Sequence, residues 1–111
     1  MQRAPKRAGV ISVVDTEGQE HTTYIEQAKP GDHVRFKRPL KVKTADGMLE
    51  IEGGVMGEVQ EVNPSAPSVT VFVRGTSRHD RGKEMRIGRH SVTVPAEEVS
   101  LLLSIDDPRV A

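Results

Sequence analysis

The sequence predicts a single small all-β domain closed into a barrel. Three observations carry that expectation. Short stretches of alternating polar and apolar residues recur along the chain, most clearly at Ser68-Val69-Thr70-Val71-Phe72-Val73-Arg74. Turn-forming clusters separate them, among them Lys29-Pro30-Gly31-Asp32, Ala45-Asp46-Gly47 and Asn63-Pro64-Ser65-Ala66-Pro67. No segment sustains a helical period, and no internal repeat is present.

The elements follow in order. Residues 1–9 carry Arg3, Lys6 and Arg7 and read as a flexible basic arm. Val10–Val14 and His21–Gln27 flank the turn Asp15-Thr16-Glu17-Gly18, so residues 10–27 form a hairpin added to the barrel. After the break at 29–32, Val34 and Phe36 share one parity and point inward. Leu40 and Val42 alternate with Lys41 and Lys43, and Asp46-Gly47 turns the chain into Met48–Glu52. The lysines of one arm then lie opposite the glutamates of the other, at roughly 0.2–1 kcal/mol per cross-strand pair.

Gly53-Gly54 interrupts the pattern, and Val55–Val62 is the next strand. Gly57 inside it marks a bulge or tight bend. In Ser68–Arg74 the valines point inward and Phe72 outward. Residues 75–83 read as a mobile polar loop, within a long basic connection over 75–91. Glu84–Ile87 and Ser91–Val94 read as strand arms, Pro95–Glu98 as a 3₁₀ turn and Val99–Ile105 as the closing strand. Residues 106–111 read as a flexible tail.

Composition bounds the function. The 111 residues suit one domain. Hydrophobic residues make up 35%, and the aromatics are only Tyr24, Phe36 and Phe72, so the core must be aliphatic. There is no cysteine, which excludes disulfides, thiolate metal sites and a cysteine nucleophile and suits a cytoplasmic protein. No apolar run reaches the ~18 residues of a membrane helix, and Asp15 interrupts the first apolar stretch, against a signal peptide. No membrane partner is expected.

From about residue 30 to 104 the layout resembles SH3-like small barrels, especially the KOW and Tudor-type group. The residues that carry it are Pro30-Gly31-Asp32-His33-Val34-Arg35-Phe36, then Gly53-Gly54-Val55-Met56-Gly57-Glu58-Val59-Gln60-Glu61-Val62, and the end Val92–Val94, Pro95, Val99, Leu101. The resemblance implies a small closed barrel with working loops. It selects no ligand, because such barrels serve many functions. The hairpin at 40–52, the basic connection at 75–91 and the added N-terminal hairpin depart from a simple KOW unit.

The 29% of charged residues sum to zero formal charge, but they are segregated. Residues 33–43 hold Arg35, Lys37, Arg38, Lys41 and Lys43 and no acid. Residues 74–90 hold Arg74, Arg78, Arg81, Lys83, Arg86 and Arg89 against Asp80 and Glu84. Residues 44–66 hold five acids and no base. If the two basic stretches meet, they form a face for the phosphates of DNA or structured RNA. The plainer alternative is solvated charge balanced by the acidic stretch. Few aromatics are available for base stacking, which points to backbone contacts. Tyr24 and Phe72 are the candidate partner-binding residues, unless Phe72 packs under the N-terminal hairpin.

Catalysis is disfavoured. Ser77, His79 and Asp80 are crowded into one loop with nothing to orient them as a triad. His21, His33, His79 and His90 include no close metal-spaced pair, and no phosphate-loop or dinucleotide pattern occurs, so no metal or cofactor is expected. The expectation is a non-enzymatic binding module. The alternative is a protein–protein interaction or accessory subunit of a larger assembly.

Overall fold

A computed structural model describes residues 9–44, 47–78 and 84–110. It has nine strands: β1 (Val10–Asp15), β2 (Glu20–Tyr24), β3 (His33–Phe36), β4 (Leu40–Thr44), β5 (Gly47–Ile51), β6 (Met56–Asn63), β7 (Ser68–Arg78), β8 (Glu84–Pro95) and β9 (Val99–Leu103). Short 3₁₀ turns lie at Ile25–Gln27, Ala96–Glu98 and Pro108–Val110. Seven strands form one mixed sheet in the order β2-β1-β9-β3-β6-β7-β8, and β4 and β5 pair separately. The all-β class is the one expected.

Among the described residues, hydrogen bonding does not close the large sheet: β2 and β8 stand at its two edges. The N-terminal hairpin explains this. β9 pairs antiparallel with β3 and parallel with β1, so β1 occupies the side of β9 that β8 would have to reach. The hairpin at 10–27 is thus part of the main sheet. Its second strand stops at Tyr24, and residues 25–27 turn so that Ile25 is buried.

Alternation places one aliphatic set on the inner side. It includes Ile11 and Val13 from β1, Val34 and Phe36 from β3, Val69, Val71 and Val73 from β7, and Leu101 from β9, each with 1% exposure or less. Phe36 is the core's aromatic. The β4–β5 hairpin completes the core: β5 lies beside β7 and β4 beside β8. Its inward residues Leu49 and Ile51 are buried, with Leu40 and Val42 partly so. Its register sets Lys41 opposite Glu50, as expected, and Lys43 opposite Met48.

Gly57 makes a close approach possible. It pairs with Val34 on one side and Val73 on the other. A Cβ there would meet Val71 Cγ1 and come within 2.9 Å of the Phe72 carbonyl oxygen. The register shift expected near this glycine falls slightly later, between Val59 and Glu61. At the β1–β2 turn, Gly18 takes φ +81°, which closes the turn on Asp15.

Two sequence expectations are corrected. The loop read over 75–83 begins as strand: β7 runs to Arg78 and pairs with β8, which starts at Glu84, with Gly75 opposite Ile87 and Arg78 opposite Glu84. Cross-strand pairing past the β6 contact carries these residues as a two-stranded ribbon; residues 79–83 lie outside the described residues. The tail read over 106–111 is held in place through residue 110. Val110 is buried, and Arg109 engages Asp32 through Nη1–Oδ2 at 2.7 Å and Nη2–Oδ1 at 3.1 Å. Arg109 also donates from Nε and Nη2 to Asp107 and from Nη1 to the Gln27 carbonyl. All five guanidinium N–H groups have acceptors, so the segment gains from order more than it loses in chain entropy. The basic arm read over 1–9 lies outside the described residues except for Gly9.

Three outcomes test this packing. Ile51→Ala should cost about 2–5 kcal/mol in urea denaturation, because the hairpin is core and not appendage. Gly57→Ala should cost about 1–3 kcal/mol by overpacking against β7. The hydrogen bonds from Arg109 hold the Asp107 carboxyl at about 2, below its ordinary 3.8. Its contribution to stability is therefore complete above pH 3.8 and is lost as pH falls through about 2. Asp107→Asn should lower the thermal midpoint at neutral pH, and the gap to the parent should shrink between those two values in a pH series of melting curves.

Candidate binding surfaces

The side chains that do not enter the core line the outer face of the large sheet in register. One row runs Glu20, Val14, Leu102, His33, Glu58, Phe72 and Ser91 across all seven strands. The next runs Thr22, Ser12, Ser100, Arg35 and Met56. Tyr24 and Val10 pair beyond it, beside the β1–β2 edge. Parity fixes this face where the strands cover the core, as Arg35 lies between the buried Val34 and Phe36.

Two depressions open on the face and share Gly54. The first is lined by His33, Met56, Gly57, Glu58 and Phe72. Met56 is 51% exposed beside a half-buried Phe72, so the floor is apolar with a histidine and a carboxylate at its sides. The second is lined by Ser12, Val14, Glu20, Arg35, Lys37 and Ser100. Lys37 Nζ donates to Ser12 Oγ at 2.8 Å, which holds the ammonium over β1.

The candidate cations are divided among three places. Arg35 and Lys37 belong to the outer face. Arg38 Nε pairs with Glu98 Oε1 at 3.0 Å, and the Lys37 N–H donates to the Glu98 carbonyl at 2.9 Å, so this corner ties β3 to the turn before β9. Lys41 and Lys43 are exposed on β4. β4 lies beside β8, the strand that carries Arg86 and Arg89 and pairs with β7, which carries Arg74 and Arg78. Arg81 and Lys83 lie outside the described residues. Of the stretch 33–43, β4 with Lys41 and Lys43 is the part that lies beside β8, whereas Arg35 and Lys37 belong to the outer row.

Tyr24 and Phe72 share the outer face but stand at different strands of it. Phe72 does not pack under the N-terminal hairpin, because β9, β3 and β6 separate β7 from β1. It sits between Glu58 and Ser91, and Ser91 Oγ donates to Gln60 Oε1 at 2.6 Å. Sequence reasoning missed the partners of Phe72. The outward parity of His33, Met56 and Glu58 was readable; their alignment required the β3–β6–β7 register.

A buried carboxylate also escaped notice. Asp15 Oδ2 meets His21 Nε2 at 2.7 Å, and Oδ1 accepts the N–H groups of Glu17 and Gln19. The His21 hydrogen bond holds the Asp15 carboxyl below its usual range, with burial opposing. The pair closes the β1–β2 turn. Among the described residues no three His, Asp or Glu side chains converge to hold a metal ion, and no helix is long and apolar enough to cross a membrane. Ser77 lies on β7, and His79 and Asp80 lie outside the described residues. The chain matches no protein-family model, no curated protein and no solved structure.

Proposed function

We propose that this protein is a non-enzymatic binding module that contacts nucleic-acid backbone, DNA or structured RNA, through β4 and the β7–β8 ribbon. The observation that carries this reading is the placement of β4 beside β8. β4 carries Lys41 and Lys43, and β8 belongs to the sequence stretch 74–90, which holds six Lys or Arg residues against two acids. Concentrated positive charge on a zero-net-charge chain attracts phosphate locally without bulk adhesion. A two-stranded ribbon is also narrow enough to enter a duplex groove. The lack of cysteine supports a cytoplasmic location.

A second reading, a protein-interaction or accessory subunit, rests on a different observation. Met56 and Phe72 leave an apolar depression open between His33 and Glu58. Mixed charge around an apolar floor suits a protein partner better than a phosphate chain.

Fluorescence anisotropy with a labelled mixed-sequence duplex separates the two. If about four phosphates are neutralised, log affinity should fall with log salt at a slope near −3 to −4. Charge reversal at Lys43 and Arg86 should weaken binding roughly tenfold or more at low salt, whereas Met56→Asp should leave it unchanged. No binding at low salt, or binding indifferent to the reversals, would remove the first reading. Loss on Met56→Asp alone would move the site to the outer face.

A further inference from the structure

We infer that β2 is a self-association edge, and that two copies of this chain join antiparallel across it to continue the sheet. The inference goes beyond the phosphate-binding reading and concerns the opposite edge of the molecule. The Asp15 N–H donates to the Gln19 carbonyl and the Ile25 N–H to the Gly9 carbonyl, each at 3.0 Å. In an antiparallel pair the bonded positions alternate. Residues 21 and 23 therefore bond to β1, whereas Glu20, Thr22 and Tyr24 direct their N–H groups away from it. The carbonyls of Glu20 and Thr22 point the same way. Among the described residues none of these groups has a hydrogen-bond partner beyond β1. The C-terminal turn packs against β2, but among the described residues its hydrogen bonds go to Gln27, Asp32 and Asp107 and none to these groups.

An unpaired strand edge is a template for another strand, and folded proteins guard such edges with lysine, proline, bulges or cover. β8, the other edge, has these guards: Pro95, a register shift opposite Val73–Gly75, and arginines at 86 and 89. β2 reads Glu20-His21-Thr22-Thr23-Tyr24, with no lysine, proline or register shift.

Its sequence also fits its own copy. A two-fold axis at Thr22 pairs Thr22 with Thr22 and Glu20 with Tyr24, so no like charges meet. This is the register that matches the open groups. The two Thr22 residues exchange two bonds, and each Tyr24 N–H donates to the opposite Glu20 carbonyl. Tyr24 and Val10 are 63% and 53% exposed and sit side by side at this end of the outer face. In the pair each Tyr24 ring would lie beside the other copy's Glu20, whose neighbour is the half-buried Val14. An isologous contact of this kind closes at two copies, so the edge is used up and does not propagate.

Light scattering after size exclusion, over a roughly hundredfold range of protein concentration, tests the inference. The parent protein should approach twice its chain mass of 12.2 kDa at the upper end. Thr22→Pro removes an N–H that β1 does not use, and Thr22→Lys sets two cations at the axis. Both should run at the single-chain mass with a parental circular-dichroism spectrum. Amide exchange at Thr22 in the unaltered protein should slow as the pair forms, which gives a readout independent of whether either variant folds. A parent at single-chain mass at every concentration overturns the inference. So does a pair that persists in a folded variant, or a Thr22 amide that exchanges freely in the paired state.

Discussion

The fold depends on the position of β9. This last strand enters between β1 and β3, antiparallel to one and parallel to the other, and joins the two ends of the chain in a single sheet. Its burial reflects that position: Val99, Ser100, Leu101 and Leu103 are all buried. A strand covered on both sides has both rows of backbone groups paired, which satisfies the requirement that buried N–H and C=O groups find partners. The consequence reaches outward. With β1 on its second side, β9 has no position left for β8, and the sheet keeps two edges.

Those edges have different characters, and the difference organises the surface. At one end β7 and β8 run on together as a basic ribbon with the β4–β5 hairpin alongside. At the other, β2 is short and carries Glu20 with no lysine or arginine. Between them lies the outer face, whose rows mix apolar, cationic and acidic residues. Electrostatics at the ribbon are graded by salt, because exposed charges are screened within about 8–10 Å at ordinary ionic strength. Hydrogen bonding at an edge is graded by register. The two edges thus offer chemically different surfaces on separate strands.

The C-terminal latch shows how a small domain with a lean core is kept in order. Arg109 bridges Asp32, at the start of β3, to Asp107, and it holds the carbonyl of Gln27 beyond the first hairpin. Val110 enters the core behind it. The carboxylates of Asp32 and the guanidinium are mostly shielded from solvent, at 12% and 13% side-chain exposure, where two-pronged geometry is worth more than in an open surface pair. The turn at 29–32 is locked from within as well, by the Lys29 N–H donating to Asp32 Oδ2 at 2.8 Å.

Much of this was legible in the residues themselves, because strand parity is a local property. Alternation in 68–74, the Asp46-Gly47 signal and the parity of Val34 and Phe36 determined that the chain is all-β and which side chains face inward. The segregation of basic residues into 33–43 and 74–90 was legible for the same reason. What tertiary structure decided was everything that depends on two distant segments meeting. Arg109 looked like part of a loose tail because the acceptors that anchor it to the domain lie 77 and 82 residues away, in Asp32 and Gln27. Residues 75–78 looked like loop because glycine and polar residues hide a strand whose partner supplies the pairing. The outer face around Phe72 needed the register of three strands, and the free edge at β2 needed the placement of β1 against β9. Parity is written in neighbouring residues; partnership is set only when the chain has folded.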